Sequence, residues 1–291
     1  MNKTVIDWLL FMLLSLIWGS SFILMKIGLG QLSSYQVAAV RIAASGLILL
    51  PIALKCIKGI PAKKLLLIFL SGSIGSLIPA FLFCMAEEKV DSSLAGTLNA
   101  LTPVFIIING VIFFHTHTSV NKVTGIAIAL SGSVLLLLSK RHLQAGQNPM
   151  SVLLIVLATF LYGFNVNMVS KKLLHIPSLH ITAVALSLNA IPALLILVYT
   201  GYFNLPLQHT LILISTSAAV VLGVGGTAIA TIIFYMLVKR AGVIFASMVT
   251  YVIPFVAIAW GIIYGEYLGI LQVICMVIIL AGVYVTNKKA K

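Results

Sequence analysis

The chain has 291 residues, 61% of them hydrophobic and only 8% charged, with a mean hydropathy of +1.19. A soluble domain is about 45–50% apolar and about 25% charged, so this composition excludes a soluble globular enzyme and a disordered chain and leaves a polytopic membrane protein. The formal net charge of +13 fits basic loops held on the cytoplasmic face of a membrane better than a nucleic-acid partner.

Apolar runs fall at 5–26, 34–54, 65–86, 92–114, 120–139, 150–170, 178–200, 210–237, 243–264 and 267–286. Each approaches the roughly 20 residues that a bilayer demands of a helix. The runs are continuous rather than alternating, which excludes membrane β-strands. The first run follows Lys3, but it is too long for a typical signal-peptide core and has no clear small-residue cleavage site, so it is read as a retained helix. Ten transmembrane helices are therefore expected, in an all-α integral membrane fold. With the N-terminus inside, the inner loops and ends carry 13 basic residues, and the outer loops carry only Lys26, Lys89, Lys140 and Arg141. The positive-inside rule then puts both termini in the cytoplasm.

The two halves resemble each other. Leu16 to Ser21 aligns with Phe160 to Asn165, a shift of about 144, and Ser34 with Ser178. Ala95 to Pro103 aligns with Ala246 to Pro254, a shift of about 151, which also sets Gly72 and Gly75 on Gly223 and Gly226. The expected units are residues 1–141 and 142–291. Five crossings per unit is an odd number, so the second unit must enter from the opposite side. Inverted repeats of this kind place a substrate site near the midplane, where the halves meet.

Polar groups inside apolar helices are costly unless they pair, line water or meet substrate. Ser15, Trp18 and Ser21 in the first helix match Thr159, Tyr162 and Asn165 in the sixth, spaced by three and so on one face of each. They are candidates for a cavity wall, with interhelical packing as the alternative; Asn167 lies off that face. Arg41 is the one charge well inside a run. It is expected to clamp an outer gate with Glu87, Glu88 or Asp91, an anionic substrate being the alternative partner. Lys26 is read as an interfacial anchor. Pro103 and Pro254 are expected to kink the fourth and ninth helices and to free the carbonyls of Asn99 and Thr250. Asn99, Thr102, Thr250 and Tyr251 then become candidate substrate contacts, and Tyr235 a cap at the inner end of the cavity. Gly72, Gly75, Gly223, Gly225 and Gly226 are read as close-packing positions. The cysteines Cys56, Cys84 and Cys275 and the six histidines, His115 and His117 among them, show no metal-site spacing, and no metal or cofactor is expected.

The segments WGSSFILMKIGL (18–29), AVRIAASGLILLP (39–51), SLAGTLNALTPVF (93–105) and GEYLGILQVICMVIILAG (265–282) resemble the EamA family of the drug/metabolite transporter superfamily. The resemblance spans nearly the whole chain as two tandem units. It implies ten helices, both termini inside, a central cavity and export of metabolites, amino acids or drugs, and Arg41 resembles an arginine that the family keeps in its second helix. The family's acidic residue after the fourth helix of each unit is kept as Gly265-Glu266. The first unit has Phe114-His115 in that slot.

The expectation is a multi-pass permease of a bacterial-type inner membrane. It would move small amphipathic solutes by alternating access and meet only substrate and lipid, with a homodimer left open. No P-loop, HExxH or converging catalytic set is present. An importer or exchanger of the same fold, a channel and an intramembrane enzyme are the rivals. No Asp or Glu falls near the expected midplane, which favours a carrier with weak or no proton coupling.

Overall fold

The computed structural model describes residues 3–116, 120–138, 149–266 and 269–287. All ten expected runs are helical: α1 Lys3–Gly28, α2 Ser34–Cys56, α3 Ala62–Glu87, α4 Ser92–Phe114, α5 Val120–Leu138, α6 Pro149–Lys172, α7 Ser178–Tyr199, α8 Thr210–Val243, α9 Phe245–Ile263 and α10 Ile270–Asn287. Among the described residues, eight of these are long and apolar enough to cross a membrane, while α5 and α10 carry shorter apolar stretches, Val123–Gly132 and Val273–Gly282. The chain is thus a multi-pass, all-helical membrane protein. Helices satisfy their own backbone polar groups, which lipid cannot do. Large apolar side chains point outward over much of the surface, for example Leu54, Leu195, Val198 and Ile262.

Local sequence sets the breaks. Ser33 caps α2: its Oγ accepts from the Gln36 backbone N–H, and the Gln36 carboxamide oxygen accepts from the Ser33 N–H, a reciprocal capping box. The same Gln36 donates to the Thr200 carbonyl and ties the start of α2 to the end of α7. Gly242, at φ 88°, turns the chain from α8 into α9. Two helices widen into π-helical turns at matching places, Ser73–Leu77 in α3 and Leu222–Ile229 in α8. Such turns leave i→i−4 acceptors unpaired and often mark functional positions.

The packing follows one rule in both halves. The helix α2 lies along α7, and α5 along α10. Inside them, α1 packs on α9 and α8, while α6 packs on α4 and α3. Small residues permit these approaches. A Cβ on Gly46 would overlap the Leu186 carbonyl across the α2–α7 contact, and one on Gly282 would overlap the Ala129 backbone across the α5–α10 contact.

The expected proline kinks take a different form. In α4 a 3-10 turn at Asn99–Leu101 precedes Pro103, which starts a new helical stretch where no N–H is needed. The Asn99 carbonyl is taken by the Thr102 hydroxyl at 2.8 Å, so it is not free to face substrate. In α9, three-residue hydrogen bonds from Met248 to Phe245 and from Tyr251 to Met248 tighten the same place before Pro254.

Candidate substrate cavity

A cavity with about 90 Å³ of interior space lies among α1, α3, α4, α6, α8 and α9, with Arg41 reaching in from α2. Such a volume holds several waters or part of a small solute. Its walls pair off by position in the two halves. Trp18 and Ser21 of α1 face it opposite Tyr162 and Asn165 of α6. Asn99 of α4 matches Thr250 of α9, and Gly75 of α3 matches Gly226 of α8. Thr102 and Tyr235 also line it.

The glycines explain the shape. Gly226 has no side chain, so α1 can close on α8. A Cβ there would stand 2.7 Å from the Ser21 hydroxyl, and the Trp18 indole N–H donates to the Gly226 carbonyl at 3.0 Å. At Gly75 a Cβ would overlap the Asn165 carboxamide. Each glycine sits in its π-helical turn, so the widened backbone and the missing side chain act together.

A three-helix polar network borders the cavity. Ser71 of α3 donates to Asn165 Oδ1 at 2.8 Å, and Asn165 Nδ2 donates to the Tyr235 hydroxyl at 2.9 Å. Ser71 and Tyr235 are themselves 3.5 Å apart. Tyr235 and Asn165 of this network line the cavity, and Ser71 stands behind them. Aromatic rings cover the sides: Trp18 lies 5.2 Å from Phe234, and Phe83 stacks on Tyr162 at 6.0 Å and 24°.

Several expected contacts lie elsewhere. The hydroxyls of Ser15 and Thr159 turn back onto their own helices, to the carbonyls of Phe11 and Val156, and both residues are fully buried in packing. A hydroxyl in an apolar helix finds its nearest acceptor one turn back, which removes both from the wall. Tyr251 packs against the apolar core rather than the cavity. Asn167 donates to the carbonyls of Ile106 and Gly163 and fastens α6 to α4.

Arg41 also departs from expectation. Its Nε donates to Thr227 Oγ1 at 2.7 Å and its Nη1 reaches Met25 Sδ at 3.7 Å. It forms no ion pair with Glu87 or Glu88. Glu88 instead accepts from the Ser34 backbone N–H at the start of α2. Glu87, expected in a loop, is the last residue of α3; it is buried, and neither carboxyl oxygen has a hydrogen-bond partner.

The clamp at this end of the bundle is Glu266. It accepts from Lys26 Nζ at 2.7 Å, from Ser92 Oγ at 2.6 Å and from the backbone N–H groups of Ser92 and Ser93 at 3.1 Å each. Burial would push its carboxyl up, but the hydrogen bonds from Lys26, Ser92 and Ser93 outweigh it and hold it at about 2. Lys26 is therefore an ion-pair partner as well as a residue of the helix end. In the first unit Thr116, not His115, stands over Gly110 as Glu266 stands over Gly261. His115, at φ 50°, makes the turn that Gly265 makes at φ 78°. His117, Lys140, Arg141 and His142 lie outside the described residues. Asp7 and Lys26 are 19 residues apart on α1, about 28 Å along a helix. At the Asp7 end Arg240 donates to Asp7 at 2.6 Å, Lys239 to the Ile176 carbonyl, and Lys64 to the Lys172 carbonyl.

Sequence reasoning missed Phe22, Met25, Ser76, Phe83, Thr227, Thr231 and Phe234, all in the wall. For some a signal exists. Phe22 and Met25 extend the helical face begun by Trp18 and Ser21, and Thr227, Thr231 and Tyr235 recur every four residues.

The model of the EamA-like transporter family matches residues 6–138 and again 149–288. Protein PagO of Salmonella typhimurium is 25% identical over 98% of this chain and 94% of its own length. An uncharacterized transporter of Archaeoglobus fulgidus is 27% identical over 97% of each chain. A probable terminal-alkyne amino-acid exporter of Streptantibioticus cattleyicolor is 25% identical over 94% of this chain and 90% of its own. A crystal structure with 17% identity shares the fold at a TM-score of 0.62, covering 96% of each chain. Matched twice, over nearly all of its length, the chain belongs to the EamA-like transporter family.

Proposed function

We propose that the chain is a secondary transporter that exports small amphipathic metabolites by alternating access. Two five-helix halves of opposite orientation would rock about the central cavity, in a bacterial-type inner membrane with both termini cytoplasmic. The observation that carries this reading is the pairing of wall positions: Trp18 with Tyr162, Ser21 with Asn165, Gly75 with Gly226 and Asn99 with Thr250. A site built from the same positions of two units is what inverted carriers use at the midplane. The packing repeats too, since each contact of α1 with α8 and α9 has its counterpart in α6 with α3 and α4.

Polar clamps at both ends of α1 supply the gates. Glu266 with Lys26, Ser92 and Ser93 holds one end, and Arg240 with Asp7 holds the other. Opening one clamp while the other stays closed gives access to one side at a time. The amino-acid exporter among the relatives supports outward movement of a small solute. Among the described residues no carboxylate lines the cavity, which favours drive by the solute gradient or exchange over proton coupling.

The test is efflux from cells or proteoliposomes with Trp18→Ala, Tyr162→Ala and Asn165→Ala, each checked for arrival in the membrane. Each substitution is expected to lower export about tenfold or more, the loss of one to two good contacts. Wild-type rates in all three would refute the cavity as the site. Transport that stops when the pH gradient is removed, with protons moving in step with solute, would refute the coupling.

A further inference from the structure

We propose that Arg41 is the carboxylate-binding group of this cavity, and that the transported solutes are small amphipathic molecules bearing a free carboxylate. This rests on the transport reading above and narrows it to a substrate class. Arg41 is the one charged side chain in the wall among the described residues, and it is more than nine-tenths buried.

Its position is built rather than incidental. The α2 backbone at Arg41 is pressed against α8 at Gly223, where any Cβ would overlap the Arg41 carbonyl. The hydroxyl of Thr227, within the π-helical turn of α8, accepts from Nε and fixes the plane of the guanidinium. The thioether of Met25 is only a weak acceptor for Nη1. A guanidinium has five N–H donors. One at Nε and one at Nη1 are used and the neighbouring Tyr162 hydroxyl engages a third, which leaves two, enough for a carboxylate.

No carboxylate hydrogen-bonds to this group among the described residues. Glu87 feels its charge, but both Glu87 oxygens are buried without a hydrogen bond and the residue is not in the wall. An arginine held in plane, with donors left over and no acid bound to it, is a ready fork for a carboxylate. The aromatic walls of Trp18, Phe83, Tyr162 and Phe234 suit an apolar body attached to that carboxylate. The same positive charge, with no acid in the wall among the described residues to offset it, disfavours cationic drugs.

The experiment uses the purified full chain and matched pairs of amphipathic carboxylates and their primary amides, such as L-phenylalanine with L-phenylalaninamide and 3-phenylpropanoate with its amide. Binding is read by thermal shift and counterflow in proteoliposomes. Wild-type protein is expected to prefer carboxylates by about tenfold or more, the scale of a charge-assisted bidentate contact over a neutral one. Arg41→Gln is expected to abolish that preference, and Arg41→Lys, which keeps the charge but loses the fork, to restore part of it. Amides bound as tightly as their acids by the wild type would overturn the proposal, and so would a folded Arg41→Gln protein that keeps the preference. If Arg41→Gln does not fold, the wild-type comparison alone decides. Binding of neutral amides without preference leaves the transport reading standing, whereas failure to bind any member of either set overturns both.

Discussion

Replacing Glu266 by glutamine removes the charge from the clamp that joins α1, α4 and the α9–α10 link. The native carboxylate collects one ammonium, one hydroxyl and two backbone N–H groups, and these hold it at about 2 against an ordinary value of 4.5. At 1.36 kcal/mol per unit, that depression corresponds to about 3 kcal/mol. The Lys26 side chain is 40% exposed, and screening by solvent reduces the contribution to about 1–2 kcal/mol. For a chain of this size each kcal/mol moves the melting temperature by roughly 2–4 °C. Glu266→Gln is therefore expected to melt about 2–8 °C lower at pH 7 in detergent, read by differential scanning fluorimetry. A carboxyl depressed by folding stabilises above its unfolded value of 4.5, and that stabilisation is lost as pH falls toward 2. Wild-type melting should fall through this window more steeply than that of the variant. Equal melting at pH 7 and parallel curves down to pH 3 would refute the clamp.

Two glycine substitutions test the packing directly. Gly75→Ala drives a methyl group into the Asn165 carboxamide and disrupts its bonds to Ser71 and Tyr235. Export should fall about tenfold, a loss of roughly 1.4 kcal/mol in the transport cycle, while the amount of protein in the membrane holds. Normal export would refute the role of that network. Gly282→Val forces α10 away from the Ala129 backbone of α5, with an expected cost of about 1–3 kcal/mol. Unchanged melting in fluorimetry would show that the two helices do not rely on this approach.

Much of the fold can be read in the chain because lipid imposes one strong rule, continuous apolarity over a helix length. The ten runs follow from it, and the matching of Trp18-Gly19-Ser20-Ser21 with Tyr162-Gly163-Phe164-Asn165 points to the cavity wall. The site is less legible. Spacing by three puts Ser15 with Trp18, but it does not say that a hydroxyl one turn deeper prefers the Phe11 carbonyl. Arg41 reads as a clamp because Glu87, Glu88 and Asp91 are expected at the same outer end of the bundle. Only the three-dimensional approach of α2 to Gly223 and Thr227 turns it into the cavity. The Lys26–Glu266 pair spans 240 positions, so no local pattern reveals it. Gly75 and Gly226 read correctly as close-packing positions, but the π-helical turns in which they sit against α6 and α1 have no signal in composition.

Opposite orientation of the two halves is tested most directly by labelling matched links. In a background free of Cys56, Cys84 and Cys275, one cysteine replaces Lys58, between α2 and α3, and another replaces Asn204, between α7 and α8; both positions are exposed. Inverted halves predict that a membrane-impermeant maleimide added to intact cells reacts at position 204 and spares position 58 until the membrane is opened. Reaction of both from the same side would contradict the inversion and the alternating mechanism built on it.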